Sequence, residues 1–118
     1  MKGARVFFLL FFAGIMMLSA GCTSEPEPVE QEFSDEAFSW NGQGVNSYIQ
    51  GNFTEALGYF DKAIEAEPGF PKAWSNRGLT LIALGRYQEA ADAFNRTLEI
   101  DPTYPSAREN RETALSKL

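Results

Sequence analysis

The sequence predicts an all-α solenoid: two antiparallel helix-turn-helix units followed by a capping helix. Three observations predict it. Eight residues recur at a constant offset of 34: Trp40, Gly44, Gly51, Phe53, Ala56, Phe60, Ile64 and Pro68 are answered by Trp74, Gly78, Gly85, Tyr87, Ala90, Phe94, Leu98 and Pro102. A period of that length marks an array of small supersecondary units that bury a core only by stacking. Within each unit the aromatic and small residues fall at helical spacing on either side of a glycine, Gly51 or Gly85, so that two short helices fold back on each other. The ladder then starts a third time, at Pro105, Ala107, Asn110 and Arg111, and fails: Arg108 stands in the Trp position and Glu112 in the Gly position.

The chain opens on different chemistry. Lys2 and Arg5 form a positive start, and Val6 to Leu18 is a run of apolar and small residues. The run extends at most to Ala20, about 15 residues, whereas a spanning helix needs roughly 20, so Met1 to Gly21 reads as a secretory signal peptide. It ends in Leu18-Ser19-Ala20-Gly21-Cys22, directly before the only cysteine of the chain. This ending resembles the lipobox of prokaryotic lipoproteins, although Ser19 occupies the position where that family prefers Leu, Ile or Val. The resemblance implies cleavage before Cys22, lipid on its sulfur, and an exported protein held on the cell membrane, at a prokaryotic surface or in the periplasm. A lone cysteine in an exported chain has no internal disulfide partner. Two acyl chains anchor far better than one, each buried methylene contributing about 0.8 kcal/mol.

Residues 22–36 then read as an acidic tether behind the lipid. Thr23 to Glu36 carries the acids Glu25, Glu27, Glu30, Glu32, Asp35 and Glu36 with no base, and Pro26 and Pro28 interrupt it. Such a stretch cannot bury a core and is expected to be an extended, disordered spacer. At its end, Ser34 followed by two acids is a plausible helix start. Helix one is expected to reach about Gln50, weakened by Gly42 and Gly44. Helix two is expected over Phe53 to Glu65, with Asn52 or Thr54 as its cap. Pro71 opens helix three, which reaches Leu84; helix four spans Arg86 to Ile100; Pro105 opens the last helix.

Each internal feature has a physical reading. A mid-helix glycine costs about 1 kcal/mol against alanine, so Gly44 and Gly78 mark close approach of a partner helix, with Ala56 and Ala90 as the small residues opposite. Trp40 and Trp74 fill the wider gaps, with Phe60 and Phe94 stacked behind them. Gly51 and Gly85 sit where the backbone turns left-handed, and Pro68 and Pro102 stop the second helices. Arg108 and Glu112 make the last helix a solvated cap for the stack, a requirement of such arrays.

The pattern of Trp, Gly, Gly-x-Tyr, Ala, Phe and Pro within 34 residues resembles the tetratricopeptide repeats, one repeat in residues 37–70, a second in 71–104, and a capping helix in 105–118. That resemblance implies a protein-interaction scaffold whose first helices line a concave groove for an extended peptide or helix of a partner. Carried over by position, the groove holds Phe38, Asn41, Val45, Tyr48 and Ile49 from the first repeat, and Lys72, Ser75, Asn76, Leu79, Ile82 and Ala83 from the second. Asn76 and Asn110 occupy the slot where family members use Asn to bond a ligand backbone.

Composition removes other classes of function. The chain has no histidine and Cys22 is isolated, so Cys/His metal sites and histidine-based catalysis are not expected, nor any cofactor. Carboxylate pairs such as Asp61 with Glu65 read as a solvated helix face. A net charge of −6 gives nothing to follow a phosphate backbone, so nucleic acid is not a partner. The reading is a membrane-anchored, non-catalytic interaction module. Its rival is a self-assembling structural component of an envelope complex, since two repeats leave apolar end surfaces for a second copy to cover.

Overall fold

Ser34 starts the first helix. Its hydroxyl accepts a hydrogen bond from the Ala37 N–H at 3.2 Å, and Asp35 and Glu36 place two acids at the positive end of the helix dipole. In this computed structural model, which describes residues 32–118, the helix so begun is α1 (Asp35–Ile49). It is followed by α2 (Phe53–Ala66), α3 (Pro71–Ala83), α4 (Tyr87–Ile100) and α5 (Ala107–Ser116). The expectations for Met1 to Gly21, for Cys22 and for the acidic stretch up to Gln31 lie outside the described residues. Among the described residues no helix is long and apolar enough to cross a membrane.

Both units turn in the same way. After α1, Gly51 takes φ 81°, its N–H donates to the Tyr48 carbonyl at 3.0 Å, and the Asn52 N–H donates to the Ser47 carbonyl at 2.9 Å. After α3, Gly85 takes φ 73°, its N–H donates to the Ile82 carbonyl at 2.9 Å, and the Arg86 N–H donates to the Leu81 carbonyl at 2.9 Å. These paired bonds form a Schellman motif, which satisfies the last carbonyls of the helix and depends on a residue without a Cβ. Asn52 stands at the N-cap of α2, but its side chain makes no capping bond.

Each helix packs on its chain neighbours, and the first helices of successive units also touch, α1 on α3 and α3 on α5. That is the one-dimensional stacking of a solenoid. The mid-helix glycines do mark close approach, and the nearest group at each is an aromatic ring. A Cβ on Gly44 would lie 2.5 Å from the Phe60 ring, and one on Gly78 would lie 2.6 Å from the Phe94 ring. The small residue makes room for a large one, so Phe60 and Phe94 lie over the glycines rather than behind the tryptophans. Ala56 and Ala90 are fully buried. Trp40 instead stacks on Tyr59 at 6.0 Å between ring centres, with the Lys62 ammonium 4.4 Å from its ring.

Units are also clipped together by side chains of matching position. Arg77 on α3 donates from Nε to Asp61 Oδ1 on α2 at 2.8 Å, and Arg111 on α5 donates from Nη1 to Asn95 Oδ1 on α4 at 2.9 Å. The hydrophobic interior has two parts. The larger gathers Leu57, Leu81, Ala90, Ala91, Ala93, Phe94, Ala107 and Ala114, with Trp74, Leu98 and Tyr104 against it. The smaller gathers Ala37, Ala63, Phe70 and Ala73, flanked by Phe33, Trp40 and Ile64.

Two expected boundaries move. The end of the predicted tether belongs to the fold: Phe33 stacks on Phe70 at 4.7 Å and the Ser34 N–H donates to Glu67 Oε1 at 3.3 Å, while Asp35 and Glu36 open α1 as the cap at Ser34 leads one to expect. An aromatic ring next to an apolar surface buries itself whatever charges flank it. At the other end, α5 begins at Ala107 rather than Pro105, because Ser106 takes the left-handed region at φ 62° and so cannot continue a right-handed helix.

Candidate functional site

Since α1 and α3 are in contact, the faces they do not spend on their own partners lie side by side. Val45 and Tyr48 from α1, Asn76 and Leu79 from α3, and Phe60 from α2 line a cavity of about 90 Å³ there. None of these five residues is charged. The Phe60 ring reaches the cavity because Gly44 has no side chain to hold it back. Tyr48 is fixed from behind by the ring of Phe53, edge to face at 5.2 Å.

The polar element of the site is a pair of amides. Asn76 donates from Nδ2 to Asn41 Oδ1 at 3.0 Å, linking α3 to α1. Asn41 is 6% exposed, so its amide is a structural member of the groove wall, while Asn76 is half-buried and borders the cavity. A cavity of this size takes one small aliphatic side chain, and the amide pair beside it offers hydrogen bonds of the kind a peptide backbone uses.

Of the residues placed in the groove by position, the structure brings together Asn41, Val45, Tyr48, Asn76 and Leu79. Phe38, in the first turns of α1, is half-exposed, clusters with Phe33 and Phe70 at 6.2 and 5.1 Å, and lines no part of the cavity. Ile49, at the last turn of α1, is 75% exposed and lines no part of the cavity. Lys72 and Ala83 are exposed, and Ile82 packs partly against the larger interior. Asn110 is half-buried on α5 and is not among the five lining residues.

Ser75 departs from expectation, being buried against the fold instead of facing a ligand. Its hydroxyl meets Tyr104, whose phenol burial pushes above its ordinary range while the Ser75 hydrogen bond opposes the shift.

Phe60 is the site residue that positional reasoning left in a purely structural role. The signal for it was the glycine one residue before Val45: an aromatic ring lodged on Gly44 must emerge beside Val45 and Tyr48. Among the described residues no group of three His, Cys, Asp or Glu could hold a metal ion, and no buried side-chain nitrogen or oxygen lacks a partner.

Residues 48–105 match the family model of the tetratricopeptide repeat. The helical domain belongs to this family. The match begins near the end of α1. Solved structures carry the same fold. The second repeat domain of Spaghetti (RPAP3) bound to the HSP90 peptide SRMEEVD aligns with a TM-score of 0.68 at 22% identity, over 70% of this chain and 76% of that one. The repeat domain of Arabidopsis OM64 aligns with a TM-score of 0.68 at 20% identity, over 70% and 68%. A chain of the CopN–Scc3 complex aligns with a TM-score of 0.60 at 16% identity, over 86% and 72%. Among curated proteins no sequence matches this chain.

Proposed function

We propose that this protein is a membrane-anchored, non-catalytic adaptor whose repeat domain holds an extended, uncharged peptide segment of a protein partner. The observation that carries the reading is the neutral cavity of Val45, Tyr48, Phe60 and Leu79 beside the Asn41–Asn76 amide pair. Tetratricopeptide domains are in general protein-interaction modules, and the similar domain of Spaghetti was solved with a peptide. That peptide, SRMEEVD, is rich in acids. The positions that grip acidic C-terminal tails in family members hold Asn41, Val45, Asn76, Ser106 and Asn110 here. Without cations at those positions, nothing offsets the desolvation of a terminal carboxylate. The groove therefore favours an aliphatic side chain in the cavity and backbone hydrogen bonds to the amides.

A peptide array read at two salt concentrations tests this. Extended segments with one small aliphatic anchor are expected to bind with little salt dependence, and Leu79→Glu is expected to abolish the signal. Tight, salt-sensitive binding of acidic C-terminal peptides would overturn it.

The anchor is the second half of the proposal, and its support is the basic start, the short apolar run and the small residues before Cys22. Mass spectrometry of the native protein is expected to find Cys22 as the first residue, carrying lipid. An unmodified Cys22, or a different first residue, removes the membrane from the reading and leaves the groove untouched.

A further inference from the structure

The outward face of α5 differs from the face it repeats. On α3 that face is Trp74, Gly78 and Leu81, and α4 covers it: the Phe94 ring lies on Gly78, Leu81 is 0% exposed, and the Trp74 indole N–H donates to the Pro68 carbonyl at 2.8 Å. Thirty-four residues on, the same face of α5 is Arg108, Glu112 and Leu115. Leu115 is 45% exposed. Arg108 and Glu112 are exposed, and neither has an ion-pair partner among the described residues.

Beside this face lies a cleft of about 450 Å³ bordered by Leu98, Pro102, Tyr104, Pro105, Arg108 and Glu112. Pro102 and Arg108 repeat Pro68 and Trp74, so the cleft occupies the place that the Trp74 indole fills one unit earlier. The helix thus presents an apolar knob toward its C-terminal end and, toward its N-terminal end, a cleft whose border sets Leu98, Pro102, Tyr104 and Pro105 among polar and charged side chains. Residues 108, 112 and 115 fall on one stripe of a helix, with Leu115 about 10 Å along the axis from Arg108.

We propose that this stripe is the interface of a two-fold symmetric homodimer, the α5 helices lying antiparallel with the axis crossing the stripe midway between Arg108 and Glu112. A two-fold contact must be self-complementary, each group meeting its counterpart twice. With the axis at that position, Arg108 of each copy faces Glu112 of the other. Leu115 of each copy comes over Pro105, at the rim of the other's cleft. The sign change between Arg108 and Glu112, one turn apart, is what makes an antiparallel second copy the fitting occupant: a parallel register would set like charges together. One helix face is smaller than a standard stable interface, so the dimer is a concentration-dependent one. The inference stands apart from the groove, which lies on α1 and α3.

Sedimentation equilibrium of the full chain in excess density-matched detergent tests it, with far-UV circular dichroism confirming that each variant keeps its helices. A monomer–dimer equilibrium is expected. Leu115→Asp, Arg108→Glu and Glu112→Arg are each expected to raise the dissociation constant by about tenfold or more, as loss of an apolar anchor or reversal of a facing charge does. Mixing Arg108→Glu with Glu112→Arg in equal amounts restores opposite charges across the axis and is expected to recover association to within about threefold of the unaltered chain. The proposal is overturned by a chain that stays monomeric at every concentration, by a dimer indifferent to all three substitutions, or by single variants that fail to recover when mixed.

Discussion

The two repeats are the same inside and different at their edges. Within each unit a glycine admits a phenylalanine ring at nearly one distance, 2.5 Å from a Gly44 Cβ to Phe60 and 2.6 Å from a Gly78 Cβ to Phe94. Across the edge the likeness stops. Trp74 lies against the preceding unit, bonded to the Pro68 carbonyl at 2.8 Å and packed on the larger interior, while the Arg96 guanidinium, 5.9 Å from its ring, only repeats within the unit the place of Lys62 on Trp40. Trp40 has Tyr59 and Lys62 on its ring and a longer 3.4 Å bond to the Glu36 carboxylate, in which the indole N–H donates. A residue in a stacked repeat takes its intra-unit environment from its own unit and its stability from the neighbour.

The most demanding test of that comparison is the tryptophan pair. Trp74→Ala is expected to cost on the order of 3 to 5 kcal/mol, and Trp40→Ala about 1 to 2 kcal/mol, the ordinary range for a less enclosed side chain. Denaturant melts of the two variants decide it, and equal losses would break the comparison. The glycine pair is expected to behave in the opposite way. Gly44→Ala and Gly78→Ala each force a ring aside, an overpacking cost of about 1 to 3 kcal/mol, less the helix propensity gained by about 1 kcal/mol. Their net losses should agree within error in the same melts, since both contacts are internal to a unit.

Gly42 sharpens the contrast from the other side. A Cβ there meets nothing within 4 Å and its backbone is helical, so Gly42→Ala is expected to stabilise the domain. The gain should be about 1 kcal/mol, read as a higher denaturation midpoint with an unchanged slope. A loss would show that α1 is held open for a reason unrelated to propensity.

The smallest effect belongs to the junction of the second unit with α5. Tyr104 keeps its proton more tightly when folded than its ordinary 10.0, because burial disfavours the phenolate. Above that value the unfolded chain gives up the proton first, so the contribution is complete below about pH 10 and is lost as pH rises through the folded value. Tyr104→Phe should flatten the decline in stability between about pH 9 and pH 11. A decline unchanged by the substitution would assign it to other groups.

The architecture was legible because its signals are periodic. One offset of 34 ties together glycines, tryptophans and prolines whose roles are backbone roles, and backbone demands leave a narrow choice of residue. What stayed hidden were contacts between residue types with no such restriction. Nothing in Asn41 and Asn76 announces that their amides meet, and only the contact of α1 with α3 brings them within 3.0 Å. The Arg77–Asp61 and Arg111–Asn95 clips both span 16 residues and sit one period apart, a pattern that the same search extended to polar residues would have caught. Phe33 was placed with the acids around it, although its ring belongs with Phe70. Average charge over a window says nothing about a single aromatic at its edge.

That edge contact also determines how the domain answers a pull. A force transmitted along the chain from the N-terminal side of Glu32 does not first unwind α1, the helix that holds Gly42 and Gly44. It meets the Phe33 ring seated on Phe70 and the Ser34 N–H held by Glu67, and both of these lie in or beside the loop that joins α2 to α3. The load passes around the most fragile helix into the junction of the two units, and α1 can remain wound while its leading strand of chain is under tension.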